Sequence, residues 1–183
     1  MSAVEPQDDG AARHLVPGTP LPDLALPATT GGPVNVRRLS GAAVIYVYPW
    51  TGRPGLPDPP GWDDIPGAHG STPETQGFCD AYPGFQALRV AVFGLSGQDD
   101  AHQRELCARL KVPFAILSDS DFKFQAALNL PTFQAGEGRY LRRLTLFVCD
   151  GAIAHVFYPV HPPETHAAEM LDWLKAQPQA AAP

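Results

Sequence analysis

His69-Gly70-Ser71-Thr72-Pro73-Glu74-Thr75-Gln76-Gly77-Phe78-Cys79-Asp80 writes out the start of a helix. Ser71 or Thr72 can cap it, Pro73 suits a first turn where its missing N–H is not needed, and Glu74 complements the positive end of the helix dipole. Gly70, just upstream, lets the backbone approach a ligand closely. Such a turn presents unpaired N–H groups and a partial positive charge to whatever side chain sits on it. A thiol held there ionises more readily, which is how proteins make reactive cysteines. Position 71 carries a serine.

Working outward, the run Ala42-Ala43-Val44-Ile45-Tyr46-Val47-Tyr48 is continuously apolar and β-branched or aromatic, the pattern of a strand buried on both faces. Pro49 ends it, and a proline-rich loop from Thr51 to Gly70 follows, with Trp62 as either a wall of a pocket or an anchor on the core. Upstream, Pro20 to Leu26 and Val34 to Val36 alternate across the Thr30-Gly31-Gly32 turn and predict a hairpin. Downstream, Pro83-Gly84 predicts an early end or interruption of the helix, with a further turn through Leu88. Residues 89–96 and 114–117 read as buried strands. Between them lies a helix over 102–110, capped by Asp99 or Asp100. A short helix over 122–128 follows, then a hairpin of 144–148 and 153–158 across Asp150-Gly151, and a last helix opened by Pro163, with Ala167, Met170, Leu171 and Leu174 on one face. Strands alternating with helices, then a hairpin and a terminal helix, predict an α/β domain over 17–177, with a mixed central sheet covered by helices on both faces. Residues 1–16 are expected to be flexible and 178–183 frayed.

Gly-Ser-Thr-Pro-Glu-x-x-Gly-Phe-x-Asp resembles the active-site loop and helix of peroxiredoxins, most closely the bacterioferritin-comigratory or Q type, whose run reads Cys-Thr-Pro-Glu-x-x-Gly-Phe-x-Asp. The resemblance covers roughly Pro17 to Ala176, and it implies a thioredoxin-like fold with peroxiredoxin elaborations. It places Ser71 where the family's peroxide-attacking cysteine stands, Thr72 beside it on the helix start, and Pro49 as the proline closing over the pocket. Arg143, in Arg143-Leu144-Thr145-Leu146, matches the strand of the family's active-site arginine; Arg142 is the alternative, since alternation lets only one of the two face the pocket. The family's threonine three positions before the cysteine is replaced by Ala68, with Thr51 as a candidate to supply the hydroxyl. Cys107, 36 positions beyond Ser71, matches the resolving cysteine of one class of Q-type relatives, in Glu-Leu-Cys-Ala-Arg-Leu. The other class carries that cysteine five positions beyond the first, where Gln76 stands here.

What the resemblance implies is a thiol-dependent peroxidase acting on hydrogen peroxide and organic hydroperoxides, without a cofactor, reduced by a thioredoxin-like donor, and monomeric or weakly dimeric. Serine is not appreciably ionised near neutrality and cannot form a sulfenic acid. Two explanations stand: a Cys-to-Ser substitution that leaves this form inactive, or a natural relative that only binds a small oxyanion or a protein partner. The first is favoured because Pro49, Thr72, Cys107 and Arg143 remain in place.

Composition agrees. A formal charge of −6, with no basic stripe beyond Arg142-Arg143, argues against nucleic acid and anionic membranes. Three cysteines, Cys79, Cys107 and Cys149, make no secreted disulfide framework. With an acidic start lacking an apolar run, they predict a cytoplasmic protein without a signal peptide. Cys79, one helical stretch beyond Ser71, reads as buried or incidental rather than as a third participant, and Cys149, at a strand end, as structural. No Gly-x-Ser-x-Gly, Cys-x-x-Cys, His-Glu-x-x-His or phosphate-loop pattern occurs.

Overall fold

The computed structural model describes residues 5–178. Its centre is β1 (Ala42–Val47), which pairs parallel with β2 (Val90–Ser96) and antiparallel with β6 (Leu144–Cys149). β3 (Ala115–Ser118) and β7 (Ala152–Phe157) complete a mixed sheet of order β3-β2-β1-β6-β7. Side-chain alternation along β1 divides the core. Ala43, Ile45 and Val47 enter one apolar cluster, while Val44, Tyr46 and Tyr48 enter the other. The second face is covered by α1 (Ser71–Ala87), α2 (Asp100–Leu110) and α4 (His166–Ala176), through Phe78, Phe85, Leu106, Ala167 and Met170. The first face is covered by one short helix, α3 (Lys123–Leu128), and by the N-terminal coil.

That coil departs from expectation. Ala12 and Leu15 are buried, Tyr158 donates to Asp9 at 2.8 Å, and Arg142 pairs with Asp9 at 3.3 Å. Residues 5–16, expected to be flexible, thus lie tied to the body, while the tail beyond 178 falls outside the described residues. The hairpin expected from residues 20–36 is reduced to one bridge, Leu26 to Val34. Asn35 instead accepts from the Arg37 N–H and caps a single 3-10 turn, Val36–Arg38. The upstream arm pairs with β3, where Ser118 N–H donates to the Pro27 carbonyl at 2.9 Å and Thr29 N–H to Ile116 at 3.1 Å, so β3 has no bare edge there.

α1 also corrects two expectations. Its N-cap is Gly70, at φ 102°, so Ser71 and Thr72 are the first helical residues rather than caps. The close approach that requires a glycine at 70 is to Pro163, whose Cγ lies 2.3 Å from where a Cβ would sit, not to a ligand. The helix does not end at Pro83; it runs 17 residues to Ala87. Pro83 lies on the exposed side, where the unmade hydrogen bond leaves a carbonyl to water. Gly84 lets α4 come close, because a Cβ there would meet Leu171 at 2.4 Å.

A second hairpin, β4 (Thr132–Ala135) and β5 (Gly138–Leu141), was not expected. With the 51–70 loop it forms a third cluster. Trp62, 3% exposed, packs against Trp50, Phe133 and Tyr140 at centroid distances of 5.6, 5.5 and 5.0 Å.

Candidate active site

Ser71 lies at the first helical position of α1, 3% exposed. The Glu74 N–H closes the first turn onto the Gly70 carbonyl, so the N–H groups of Ser71 and Thr72 stay outside the helix ladder. Arg143, just before β6 and beside the end of β1, is itself only 4% exposed. Its Nη2 donates to Ser71 Oγ and to the His69 carbonyl, both at 3.0 Å. Its Nη1 donates to the fully buried carboxylate of Glu74. A planar fork is what allows one side chain to serve both partners.

Glu74 is a member of the site that the sequence offers only as a charge for the helix dipole. Burial pushes its carboxyl up to about 7, and Arg143 works against that shift. Glu74 Oε1 and Arg143 Nε have no partner among the described residues. The available signal was its place one turn after position 71 on the face that bears Thr75 and Phe78, both buried.

Of the two candidate arginines, Arg143 faces Ser71. Arg142 points the other way, to Asp9 and to the Thr132 carbonyl at 3.3 Å. Thr72 lines the cleft beside Ser71. Pro49 is buried at the end of β1, and its neighbour Trp50 borders the cleft in its place. Thr51 is 1% exposed, and its hydroxyl lies 3.1 Å from Gln98 Oε1 and 3.3 Å from His102 Nε2, so it is engaged away from Ser71. Ala68 contributes a carbonyl to Arg143 rather than a hydroxyl. Cys107 is half-buried on α2, with its thiol donating to Thr29 Oγ1 at 3.5 Å. Burial raises the Cys107 thiol, and lifts that of Cys79 to about 11. Cys149 is exposed at the end of β6, and all three cysteines are free. The cleft over Ser71 has an open volume of about 340 Å³, with Trp50, Trp62 and Pro73 among its apolar walls and Arg53 and Arg109 as its cations.

A helix N-terminus and a buried guanidinium that converge on one side chain define an anion-stabilising site, suited to a thiolate or to an oxygen gaining charge. The Redoxin family model matches residues 16–171, and the chain belongs to that family, with the peroxiredoxins of the bacterioferritin-comigratory or Q type as its kin. Peroxiredoxin Q, chloroplastic, of Arabidopsis thaliana is 29% identical over 164 residues, covering 87% of this chain and 67% of that protein. The Oryza sativa subsp. japonica counterpart is 27% identical, with 87% and 66% covered. The chain therefore spans about two thirds of the length of these relatives. Among solved structures, a serine mutant of Xylella fastidiosa PrxQ superposes with a TM-score of 0.71 at 22% identity, over 89% of this chain and 97% of that one. Peroxidoxin BcpB from Mycobacterium tuberculosis gives 0.69 at 22%, over 88% and 97%. The fold is thus the thioredoxin-like α/β arrangement of the peroxiredoxins.

Proposed function

We propose that the chain is organised as a thiol-dependent peroxidase of the Q type, with position 71 as the place of peroxide attack. The observation that carries this reading is the 3.0 Å approach of Arg143 to Ser71 Oγ at the head of α1. With a cysteine there, the thiolate attacks one peroxide oxygen, the O–O bond breaks, and the other oxygen leaves as alkoxide or hydroxide. The cysteine becomes a sulfenic acid. The Arg143 Nη2 and the free N–H groups of residues 71 and 72 lie where that charge develops.

In the same proposal Cys107 resolves the sulfenic acid. Its thiol displaces water to give a disulfide, which a thioredoxin-like dithiol reduces. Ser71 and Cys107 have separate partners here, Arg143 and Thr29, and the proposal has the first turn of α1 unwind to bring the two sulfurs together. Two single cysteine-to-serine mutants of the Xanthomonas campestris relative were solved at positions with the same separation as Ser71 and Cys107. A cytoplasmic setting and a monomer or weak dimer belong to the proposal, and the three free cysteines suit a reducing setting. No described helix is long and apolar enough to cross a membrane.

Serine at position 71 favours a second reading, a pocket that binds an oxyanion without turnover. Peroxide consumption with a thioredoxin system separates the two. The first reading expects no turnover by the Ser71 chain, activity in Ser71→Cys, and loss of recycling on adding Cys107→Ser. No activity in a folded Ser71→Cys protein supports the second.

A further inference from the structure

Residues 51–70 hold one 3-10 turn, Trp62–Asp64, and no other helix or strand. A connection of that length inside a compact domain usually carries a function of its own. Its charged side chains are mostly acidic, Asp58, Asp63 and Asp64 against Arg53, and Arg53 is paired with Glu105 of α2. Asp58 forms no ion pair with Arg53 or Arg109 among the described residues.

Three side chains of this loop converge. One ligating atom each from Asp58, Asp63 and His69 lies within 4.8 Å of the others, and His69 Nε2 is 2.8 Å from Asp63 Oδ1. The frame that carries them is held in place. Trp62, buried next to Asp63, meets the His69 ring edge-on at 6.5 Å between centroids. The His69 carbonyl accepts from Arg143 at 3.0 Å. Asp58 and Asp63 are exposed, so their carboxylates can turn inward without displacing packed side chains. Bonds of about 2.0–2.2 Å to zinc put neighbouring ligand atoms roughly 3–3.5 Å apart, a small closure from the present spread.

We propose that Asp58, Asp63 and His69 bind a divalent transition cation of the zinc type, which pins the 51–70 loop. The imidazole separates this group from a cluster of surface acids. Two carboxylates with one imidazole suit a borderline cation such as Zn²⁺ better than Mg²⁺ or Ca²⁺, which take oxygen ligands. The exposed side leaves positions for water to complete the coordination shell. Asp58 and His69 also line the cleft over Ser71, so the loop that the cation fixes is a wall of that cleft. The cation takes no part in the peroxide step, and the proposal stands or falls independently of the peroxidase reading.

The Ser71 chain, full-length and without an affinity tag, can be tested as it stands. By calorimetry, Zn²⁺ is expected to bind at least about tenfold more tightly than Mg²⁺. Asp63→Asn and His69→Gln are each expected to weaken Zn²⁺ by about tenfold or more. Co²⁺ in place of Zn²⁺ is expected to give a spectrum without thiolate charge transfer, which separates this site from Cys79, Cys107 and Cys149. Amide exchange over residues 58–69 is expected to slow about tenfold once free Zn²⁺ is about ten times its dissociation constant, because opening must then release the metal. No measurable binding of Zn²⁺ to the folded chain, an affinity unchanged in both variants, or a thiolate band with Co²⁺ overturns the proposal. Exchange that Zn²⁺ leaves unchanged, with both variants weakened, overturns the claim that the cation pins the loop. Peroxide turnover by Ser71→Cys is a separate measurement, so failure of this site and failure of the peroxidase reading are told apart.

Discussion

Arg143 and Glu74 share one guanidinium between a buried carboxylate and the side chain at position 71. Lysine keeps the charge but not the fork. Arg143→Lys in the Ser71→Cys background is expected to cost about 10²-fold or more in kcat/KM, the scale of losing an oxyanion donor, measured by steady-state peroxide consumption. The Glu74 carboxyl, raised to about 7 from an ordinary 4.5, makes the native state hold a proton that the unfolded chain has released. Its contribution to stability therefore falls as pH rises from about 4.5 to 7. His166, buried against Phe78 and Phe157 and lowered to about 4 by burial and by Arg143, works in the opposite sense. Between about 4 and 6.5 the unfolded chain binds the proton that folded His166 refuses, so stability rises with pH there. The two offset in the wild type. Glu74→Gln removes one side of the balance, and urea midpoints from pH 4.5 to 7 are expected to climb more steeply in that variant. A slope equal to wild type would show that Glu74 titrates normally.

At the level of elements, α1 shows why local rules misplace a boundary. Pro83 costs the helix one hydrogen bond, but the pair Pro83-Gly84 sits where α4 needs a close approach, and packing on Leu171 outweighs the break. Gly84→Val is expected to destabilise by about 1–3 kcal/mol through overpacking, whereas Pro83→Ala, on the exposed side, is expected to be neutral or stabilising. Denaturation curves of the two variants check the contrast. The long strands and α2 were legible because their apolar periods and the Asp99 cap are local signals. The β4–β5 hairpin was not, because Thr132-Phe133-Gln134-Ala135 and Gly138-Arg139-Tyr140-Leu141 are short, and their apolar members face Trp62 from a distant loop. Trp62 turns out to be anchor and cleft wall at once. Trp62→Ala is expected to open residues 51–70 to limited proteolysis before global unfolding, since the tryptophan packs in a satellite cluster rather than in the two main ones. Loop cleavage no faster than wild type would contradict that.

Across the whole molecule, the sheet keeps its two apolar faces for the core and leaves the chemistry to one end of its central strands, where the head of α1, the approach to β6 and the 51–70 loop meet. The motif around Ser71 made this end legible from sequence, the resemblance offered Arg143 or Arg142 as its cation, and strand alternation allowed only one of them to face the pocket. The Glu74 counter-ion was not legible, because it depends on which polar groups lose water only in the folded chain. The central claim is that this end of the sheet holds an anion at position 71. The thiol pKa of Ser71→Cys, read from the pH dependence of alkylation against the Ser71 chain as background, tests it most directly. Cys79 and Cys107 should stay silent near neutrality, since burial raises both. The account predicts a new thiol titrating below about 7, moved upward when Arg143→Gln is added. A thiol titrating at or above about 8.5, its ordinary value, and unmoved by Arg143→Gln, would contradict it.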